Sequence, residues 1–151
     1  MSREPFLPML RELARCYQAF EAYSSAHVRG LGLTSSQFDI VATLGNTPGM
    51  SFRDLGEKTL ITKGTLTGVV DRLVAQKLVR RNASAEDGRS VIVSLTPAGE
   101  RLFRRAFDAH LAHLRLALGG LDAKRLAQIE SALRGLRETF AAIDNRKAVA
   151  Q

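Results

Sequence analysis

The sequence predicts a mainly α-helical fold that carries one small β-hairpin. Three observations support this fold class. Apolar residues recur at helical spacing near both ends of the chain, two β-prone segments flank Asp87-Gly88, and Pro48-Gly49 and Gly119-Gly120 separate the helical stretches. A chain of 151 residues fits one domain, or one compact domain with helical extensions.

The first predicted helix runs from Pro8 to about Arg29, where Gly30 and Gly32 end it. The second begins at Thr34, because Thr34 and Gln37 have the spacing of a capping box. The apolar residues of these two helices are Leu10, Leu13, Tyr17, Phe20, Phe38, Ile40, Val41 and Leu44.

The next two helices have the arrangement of a helix-turn-helix. Ser51 is expected to cap a short helix that ends near Thr59, and Thr62 a longer helix that ends near Gln76. The longer helix has one apolar face and one polar face, so the polar face is free to meet a partner. Its expected buried residues are Leu66, Val69, Val70 and Leu73.

A hairpin from Leu78 to Leu95 follows, with strands at 78–82 and 91–95. A helix-turn-helix followed by a hairpin is a winged helix-turn-helix, which we expect over residues 34–95. Pro97 then begins a fifth helix that ends near Leu118, and Asp122 caps a last helix. The apolar stripe of that last helix is Leu126, Ile129, Leu133, Leu136, Phe140 and Ile143.

The helices outside the winged segment have more apolar surface than its small core requires. A second copy of the chain is the simplest partner for these stripes. We therefore expect residues 1–33 and 96–151 to form a helical dimerisation region of a homodimer.

The charge balance favours a polyanionic partner. The chain has 22 Lys and Arg against 15 Asp and Glu, a formal charge of +7, which suggests nucleic acid first and an anionic membrane second. No apolar run approaches the roughly 20 residues that span a bilayer, and the N-terminus lacks the pattern of a secretory signal. With Cys16 as its single cysteine, the chain fits a reducing compartment, and we expect it in the cytoplasm.

A helix that enters the DNA major groove needs small or polar residues near its N-terminus. The candidates are Thr62, Lys63, Gly64, Thr65 and Thr67, with Arg53 and Arg72 placed for phosphates of double-stranded DNA. Gly64 and Gly68 each weaken the helix by up to about 1 kcal/mol relative to Ala. Either their missing side chains let the backbone approach the duplex, or they pack closely against a neighbouring helix.

The hairpin loop supplies a second candidate DNA contact. Arg89 suits the negative potential of a minor groove, and Asp87 is expected to hold its guanidinium through a bidentate pair, with Ser90 beside them. The alternative is a solvated Asp-Gly turn that carries an ordinary surface arginine.

Two motifs resemble the MarR family of winged helix-turn-helix regulators. Asp87 to Gly99, DGRSVIVSLTPAG, resembles the wing signature D-x-R-x-x-x-V-x-L-T-x-x-G, and Leu33 to Phe38, LTSSQF, resembles L-T-x-x-Q-[FW] at the start of the second helix. The resemblance implies dimers that repress by occupying palindromic operators and that a small anionic or phenolic ligand, or an oxidant, releases. Lys77 departs from the family, which usually has Gly just past the DNA-reading helix.

The first two helices offer an effector site. Phe20, Tyr23 and His27 lie at i, i+3 and i+7, and Phe38 could meet them; Arg15 is a nearby cation that suits a small aromatic carboxylate. The alternative assigns these residues to the core or the dimer interface. Residues 59–73 also resemble repressors of nicotinate and related aromatic-acid catabolism. We therefore expect a repressor that a small aromatic or phenolic acid releases.

Other readings remain open. Cys16 could sense oxidants, since Gly64 to Thr67 resembles the family's organic-peroxide sensors, but the reactive cysteine of those sensors lies further upstream, which favours a buried apolar role here.

A DNA-binding protein without a ligand is a further alternative. His110 and His113 are expected to be solvated rather than metal ligands. The sequence has no recognisable catalytic motif, so we expect no enzyme and no cofactor.

Overall fold

The computed structural model describes residues 4–149, and it confirms a mainly α-helical fold with a small β wing. This part of the chain has six helices and three strands. In order they are α1 (Leu7–Gly30), α2 (Ser35–Leu44), β1 (Met50–Ser51), α3 (Phe52–Lys58), α4 (Lys63–Ala75), β2 (Val79–Ala83), β3 (Val91–Leu95), α5 (Pro97–Leu118) and α6 (Ala123–Val149).

The sheet has three antiparallel strands in the order β1-β3-β2, one strand more than the sequence predicts. Met50 pairs with Val93 on one side, and Arg81 pairs with Val93 on the other. Gly49 precedes β1 with a φ of 100°, and a Cβ on it would lie 2.7 Å from the Val93 carbonyl oxygen. Glycine therefore permits the close approach that lets the short strand β1 join the wing.

The helix caps follow the predicted motifs with one exception. Thr34 Oγ1 accepts from the Gln37 amide at 3.1 Å, Gln37 Oε1 accepts from the Thr34 amide at 3.0 Å, and Ser51 and Asp122 accept amides as expected. Thr62 is the N-cap of α4 by position, but its side chain accepts no amide. Its hydroxyl instead donates to the Thr65 hydroxyl at 3.1 Å, so the prediction that the Thr62 side chain caps α4 is wrong.

The main core joins α2, α3, α4, the sheet and α5. Full burial of each aliphatic side chain contributes about 1.5–3 kcal/mol, so the fixed orientation of α4 rests on many such contacts. Phe38 lies outside this core, half-buried against a smaller cluster around Val28 and Ala106. The buried residues of the main core include Ile40, Val41, Leu44, Leu55, Leu66, Val69, Val70, Leu73, Val79, Val93, Leu95 and Phe103.

The end of α4 is a Schellman motif with lysine in place of the usual glycine. Lys77 has a φ of 60°; its amide donates to the Val74 carbonyl at 2.9 Å, and the Leu78 amide donates to the Leu73 carbonyl at 3.0 Å. These are the two bonds that define the motif. Lys77 therefore has the left-handed conformation that favours glycine, the residue that the family usually has at this position.

Within the described residues, 114–149 form a compact unit of their own, which contains α6. Its apolar stripe is exposed except for half-buried Leu136. In the other unit, α1 and its N-cap residue Phe6 expose a set of apolar side chains, namely Phe6, Leu7, Met9, Leu13, Tyr17 and Phe20. Within residues 4–149, no helix is long and apolar enough to cross a membrane.

Candidate nucleic-acid interface and effector site

The face of α4 that the sequence assigns to DNA is exposed. Its opposite face is in the core, because α4 buries positions three and four residues apart. The predicted DNA-contact residues therefore lie where a partner can reach them. The exposed set is Thr62, Lys63, Gly64, Thr65, Thr67, Gly68 and Arg72.

Gly64 and Gly68 face open space. A Cβ built on either residue would meet nothing within 4 Å in the described part of the chain. The alternative that these glycines allow close packing against a neighbouring helix is therefore wrong within one chain. What remains is a smooth stretch of helix surface at the N-terminal half of α4, which a DNA backbone could approach closely.

The turn between α3 and α4 is fixed by side chains at both ends. Thr59 is buried, and its hydroxyl donates to the Leu55 carbonyl at 2.7 Å. The Leu60 amide donates to Asp39 Oδ2 of α2 at 3.2 Å. Burial raises the pKa of the Asp39 carboxyl, and the bond from Leu60 opposes this rise. The start of α4 is thus tied to α2 as well as to the core.

The wing loop is organised by Asp87, although not as predicted. Its Oδ1 accepts from the amides of Arg89 and Ser90, both at 2.9 Å, and its Oδ2 accepts from the Ser90 hydroxyl at 3.0 Å. Bonds from the Ser90 amide, then the Arg89 amide, lower the pKa of Asp87. The predicted pair between Asp87 and the Arg89 guanidinium is wrong, because this carboxylate holds the main chain and leaves the Arg89 side chain exposed.

A second arginine, which sequence reasoning missed, connects the wing to α4. Arg81 of β2 pairs with Asp71 of α4, and its guanidinium lies 5.6 Å from the ring centroid of Phe52. Arg53 on α3 pairs with Glu57 one turn away, at 3.4 Å between Nε and Oε1. Exposed pairs of this kind contribute about 0.3–0.5 kcal/mol, so Arg53 remains available to a phosphate.

A cluster of aromatic and imidazole side chains lies between α1 and α5. His110 is 5% exposed, and its Nδ1 lies 3.0 Å from Nδ1 of His27. The Ser24 hydroxyl lies 3.2 Å from His110 Nε2, and the ring of Phe38 meets His110 edge-on at 4.7 Å between centroids.

His113 extends this cluster by stacking. Its ring lies 4.0 Å from Tyr23 and 4.2 Å from His27, between centroids. The Tyr23 hydroxyl donates to the His113 carbonyl at 2.6 Å, and His113 Nε2 lies 3.2 Å from the Tyr23 carbonyl, to which its N–H donates. We call Tyr23, His27, Phe38, His110 and His113 the histidine cluster.

The structure thus groups only part of the predicted effector site. Tyr23, His27 and Phe38 come together, whereas Phe20 is 50% exposed and Arg15 is exposed and paired with Glu12 at 3.0 Å. The prediction that His110 and His113 are solvated is wrong. His110 and His113 lie about one helical turn apart on α5, as Tyr23 and His27 do on α1. This shared one-turn spacing is the feature of the sequence that could have indicated contact between the two pairs.

Two imidazoles of the histidine cluster, those of His27 and His110, have pKa values below the ordinary histidine value. Burial, then the nearby His27 and His113, lowers the pKa of His110. Burial, then His113, lowers the pKa of His27. Protonation of both rings would place two donors at a contact that needs one donor and one acceptor. Among residues 4–149, no group of potential ligand side chains has the geometry of a metal site.

The sequence model of the MarR family matches residues 31–90. A homoprotocatechuate degradative operon repressor of Escherichia coli is 30% identical over 135 residues, which cover 89% of this chain and 88% of that protein. The chain belongs to the MarR family.

Two further relatives agree with this assignment. The transcriptional repressor NicR of Pseudomonas putida is 31% identical to this MarR-family chain over 111 residues, 74% of the chain and 70% of NicR. The structure of Bordetella bronchiseptica BpsR, whose DNA binding 6-hydroxynicotinic acid regulates, superimposes with a TM-score of 0.74 at 28% identity, covering 86% of this chain and 98% of BpsR. The protein is a DNA-binding transcriptional repressor of the MarR type, and its relatives are regulators rather than enzymes.

Proposed function

We propose that this MarR-family repressor binds a palindromic operator as a homodimer and that a small aromatic acid releases it. The histidine cluster carries the effector part of the proposal. It combines flat rings that can stack on an aromatic ligand with imidazole N–H groups that can bind a carboxylate.

The geometry of His27 and His110 supports an anionic ligand. The two rings share one hydrogen across a 3.0 Å contact, and each could instead donate to a carboxylate oxygen. Tyr23 stacks on His113 and Phe38 meets His110 edge-on, so both side chains would contact the aromatic ring of a ligand bound in the cluster. The predicted contributions of Phe20 and Arg15 are not part of this proposal, because both lie outside the cluster.

The relatives support the same ligand class. One is named for the degradation of homoprotocatechuate, and 6-hydroxynicotinic acid regulates another. Both compounds are hydroxylated aromatic acids. A ring with a carboxylate and a hydroxyl group matches a site that offers stacking surfaces and several hydrogen-bonding groups.

Two apolar faces support the homodimer. Within residues 4–149, α1 and α6 each expose a row of large apolar side chains at helical spacing. We propose that residues 1–33 and 96–151 bury these rows against a second chain, and that residues 34–95 form the DNA-binding domain. In the dimer, two copies of α4 would meet successive major grooves, which requires half-sites about one helical turn, roughly 34–36 Å, apart.

Each half-site contact has a distinct role in this proposal. Thr62, Lys63, Thr65 and Thr67 would meet base edges, with Gly64 allowing close approach. Arg53 and Arg72 would bind phosphates. On the wing, Arg89 would enter the minor groove while Asp87 and Ser90 hold the loop in shape.

The test uses DNA from beside the protein's own gene. Binding measured by fluorescence anisotropy should fit two chains per palindrome, and light scattering should give a dimer mass. Adding 6-hydroxynicotinate, homoprotocatechuate or 4-hydroxyphenylacetate should release the DNA, whereas cyclohexanecarboxylate, which lacks a flat ring, should not. A monomer in solution, or DNA binding that none of the three acids changes, would contradict the proposal.

An oxidant-responsive repressor is the second candidate, because Cys16 is exposed on α1 rather than buried as the sequence predicts. An exposed thiol is accessible to peroxide. Hydrogen peroxide should then release DNA from the wild type and not from Cys16→Ser. Equal binding by both proteins after oxidation would reject this candidate.

A further inference from the structure

Leu60 is a solvent-exposed apolar residue just before the start of α4. It is 90% exposed and lies two residues before Thr62, the N-cap of α4. A single exposed leucine usually needs no explanation. This one differs because the chain around it is held in place.

The residues on both sides of Leu60 are anchored. Thr59 is buried and bonded to Leu55, and Ile61 packs against the main core. The Leu60 amide itself donates to the half-buried Asp39 carboxylate at 3.2 Å. Contacts of residues 59, 60 and 61 therefore fix the main chain of this turn, and the exposed Leu60 side chain extends from a fixed position.

The neighbouring surface is polar apart from the methyl groups of its threonines. Thr62, Lys63, Thr65 and Thr67 are exposed, and the two glycines between and after them have no side chain. In the major groove, the 5-methyl group of thymine is the one apolar group on the base edges, and apolar side chains recognise it. Leu60 is the apolar side chain beside this otherwise polar surface.

We propose that Leu60 contacts a thymine 5-methyl group in each operator half-site and thereby determines specificity there. Asp39 is the positioning residue that holds the Leu60 main chain. The inference rests on the proposed docking of α4 in the major groove. Removing a methyl group from such a contact should weaken binding about fourfold, as expected for one buried methylene equivalent.

The experiment pairs changes in the protein with changes in the DNA. The wild-type protein first selects its preferred sequence from a random DNA library, and each thymine of one half-site is then replaced singly by deoxyuridine. One replacement should weaken wild-type binding about fourfold. Leu60→Ala should bind the thymine and deoxyuridine versions equally at that position. Leu116→Ala, which alters a leucine of 83% exposure on α5, is the matched control and should keep the full effect.

Variants of Asp39 separate positioning from folding. Asp39→Asn keeps a side-chain oxygen for the Leu60 amide and should keep the deoxyuridine effect, whereas Asp39→Ala should lose it while its circular dichroism spectrum stays that of the wild type. Three results would overturn the proposal: no sensitive thymine, a sensitive thymine whose effect survives in Leu60→Ala, or an equal loss by Leu60→Ala on all sequences. Failure to select any sequence would contradict the operator function itself, and the proposal with it.

Discussion

Nδ1 of His27 and Nδ1 of His110 lie 3.0 Å apart, so a single hydrogen lies between two imidazoles that are 83 residues apart in the chain. Both rings have lowered pKa values. Ser24 and Phe38 also face His110, and Tyr23 and His113 complete the surroundings, so no acid of the cluster compensates a proton added there.

This contact predicts that stability falls in mild acid. Because the pKa of His110 is lower in the folded chain than its ordinary value near 6.5, the unfolded chain binds more protons. The stability that this group contributes is present above pH 6.5 and is lost as the pH falls below that value. Urea unfolding at fixed protein concentration, from pH 8 to pH 5, should show this loss. In His110→Phe the loss should be smaller; an identical pH profile would contradict the assignment.

Lys77→Gly should stabilise the protein. A non-glycine residue in the left-handed region costs about 1 kcal/mol or more, and Lys77 has a φ of 60°. The free energy of unfolding in urea should therefore rise by about 1 kcal/mol. Gln76→Gly is the matched control, since Gln76 has a φ of −80° and should gain nothing. A loss of stability in Lys77→Gly would show that its side chain compensates the strain.

Gly64→Ala should separate stability from DNA binding. A Cβ there meets nothing within 4 Å, so alanine should raise the free energy of unfolding by up to about 1 kcal/mol. If the DNA backbone approaches this position, the same change should weaken operator binding. Thermal unfolding and anisotropy on one protein preparation measure both effects. A more stable variant with unchanged operator affinity would remove Gly64 from the interface.

Arg89→Ala should weaken binding to every DNA sequence. The Asp87 carboxylate accepts from the main-chain amide of Arg89 and so holds the main chain of the wing tip, from which the exposed Arg89 side chain could reach the minor groove. The logarithm of the binding constant against the logarithm of salt concentration should lose about one unit of slope. Arg137→Ala, on the exposed surface of α6, should leave the slope unchanged. An unchanged slope for Arg89→Ala would exclude the contact.

Lys63→Ala should instead change sequence preference. Lys63 is the first residue of α4, where a side chain can reach a guanine edge. Competition between operator variants should show one base pair whose discrimination falls by roughly 1–3 kcal/mol. Equal losses on all variants would reduce Lys63 to a phosphate contact.

The winged domain could be predicted from sequence because its signals are local. The capping box at Thr34 and Gln37, the apolar period of α4 and the Asp-Gly turn each act within a few residues. Strand β1 could not be predicted, since two residues carry no alternation. It exists because Gly49 lets the chain approach Val93, which is distant in sequence.

The effector site was harder to predict, because its contacts join distant helices. Residues of α1 gave an aromatic pattern, but His110 is buried only because α1 and α2 cover it. Likewise, the sequence shows Asp87 beside Arg89 and suggests an ion pair. The loop geometry instead directs the Asp87 carboxylate to two amides and a hydroxyl.

Effector binding at the histidine cluster is tested by the operator dissociation constant with and without 6-hydroxynicotinate, measured for the wild type and for His110→Phe. Phenylalanine fills the buried site but offers no N–H to a carboxylate. We expect the acid to raise the wild-type dissociation constant at least tenfold, a coupling of about 1.4 kcal/mol, and to leave that of His110→Phe unchanged. Equal release of both proteins, or of neither, would contradict it.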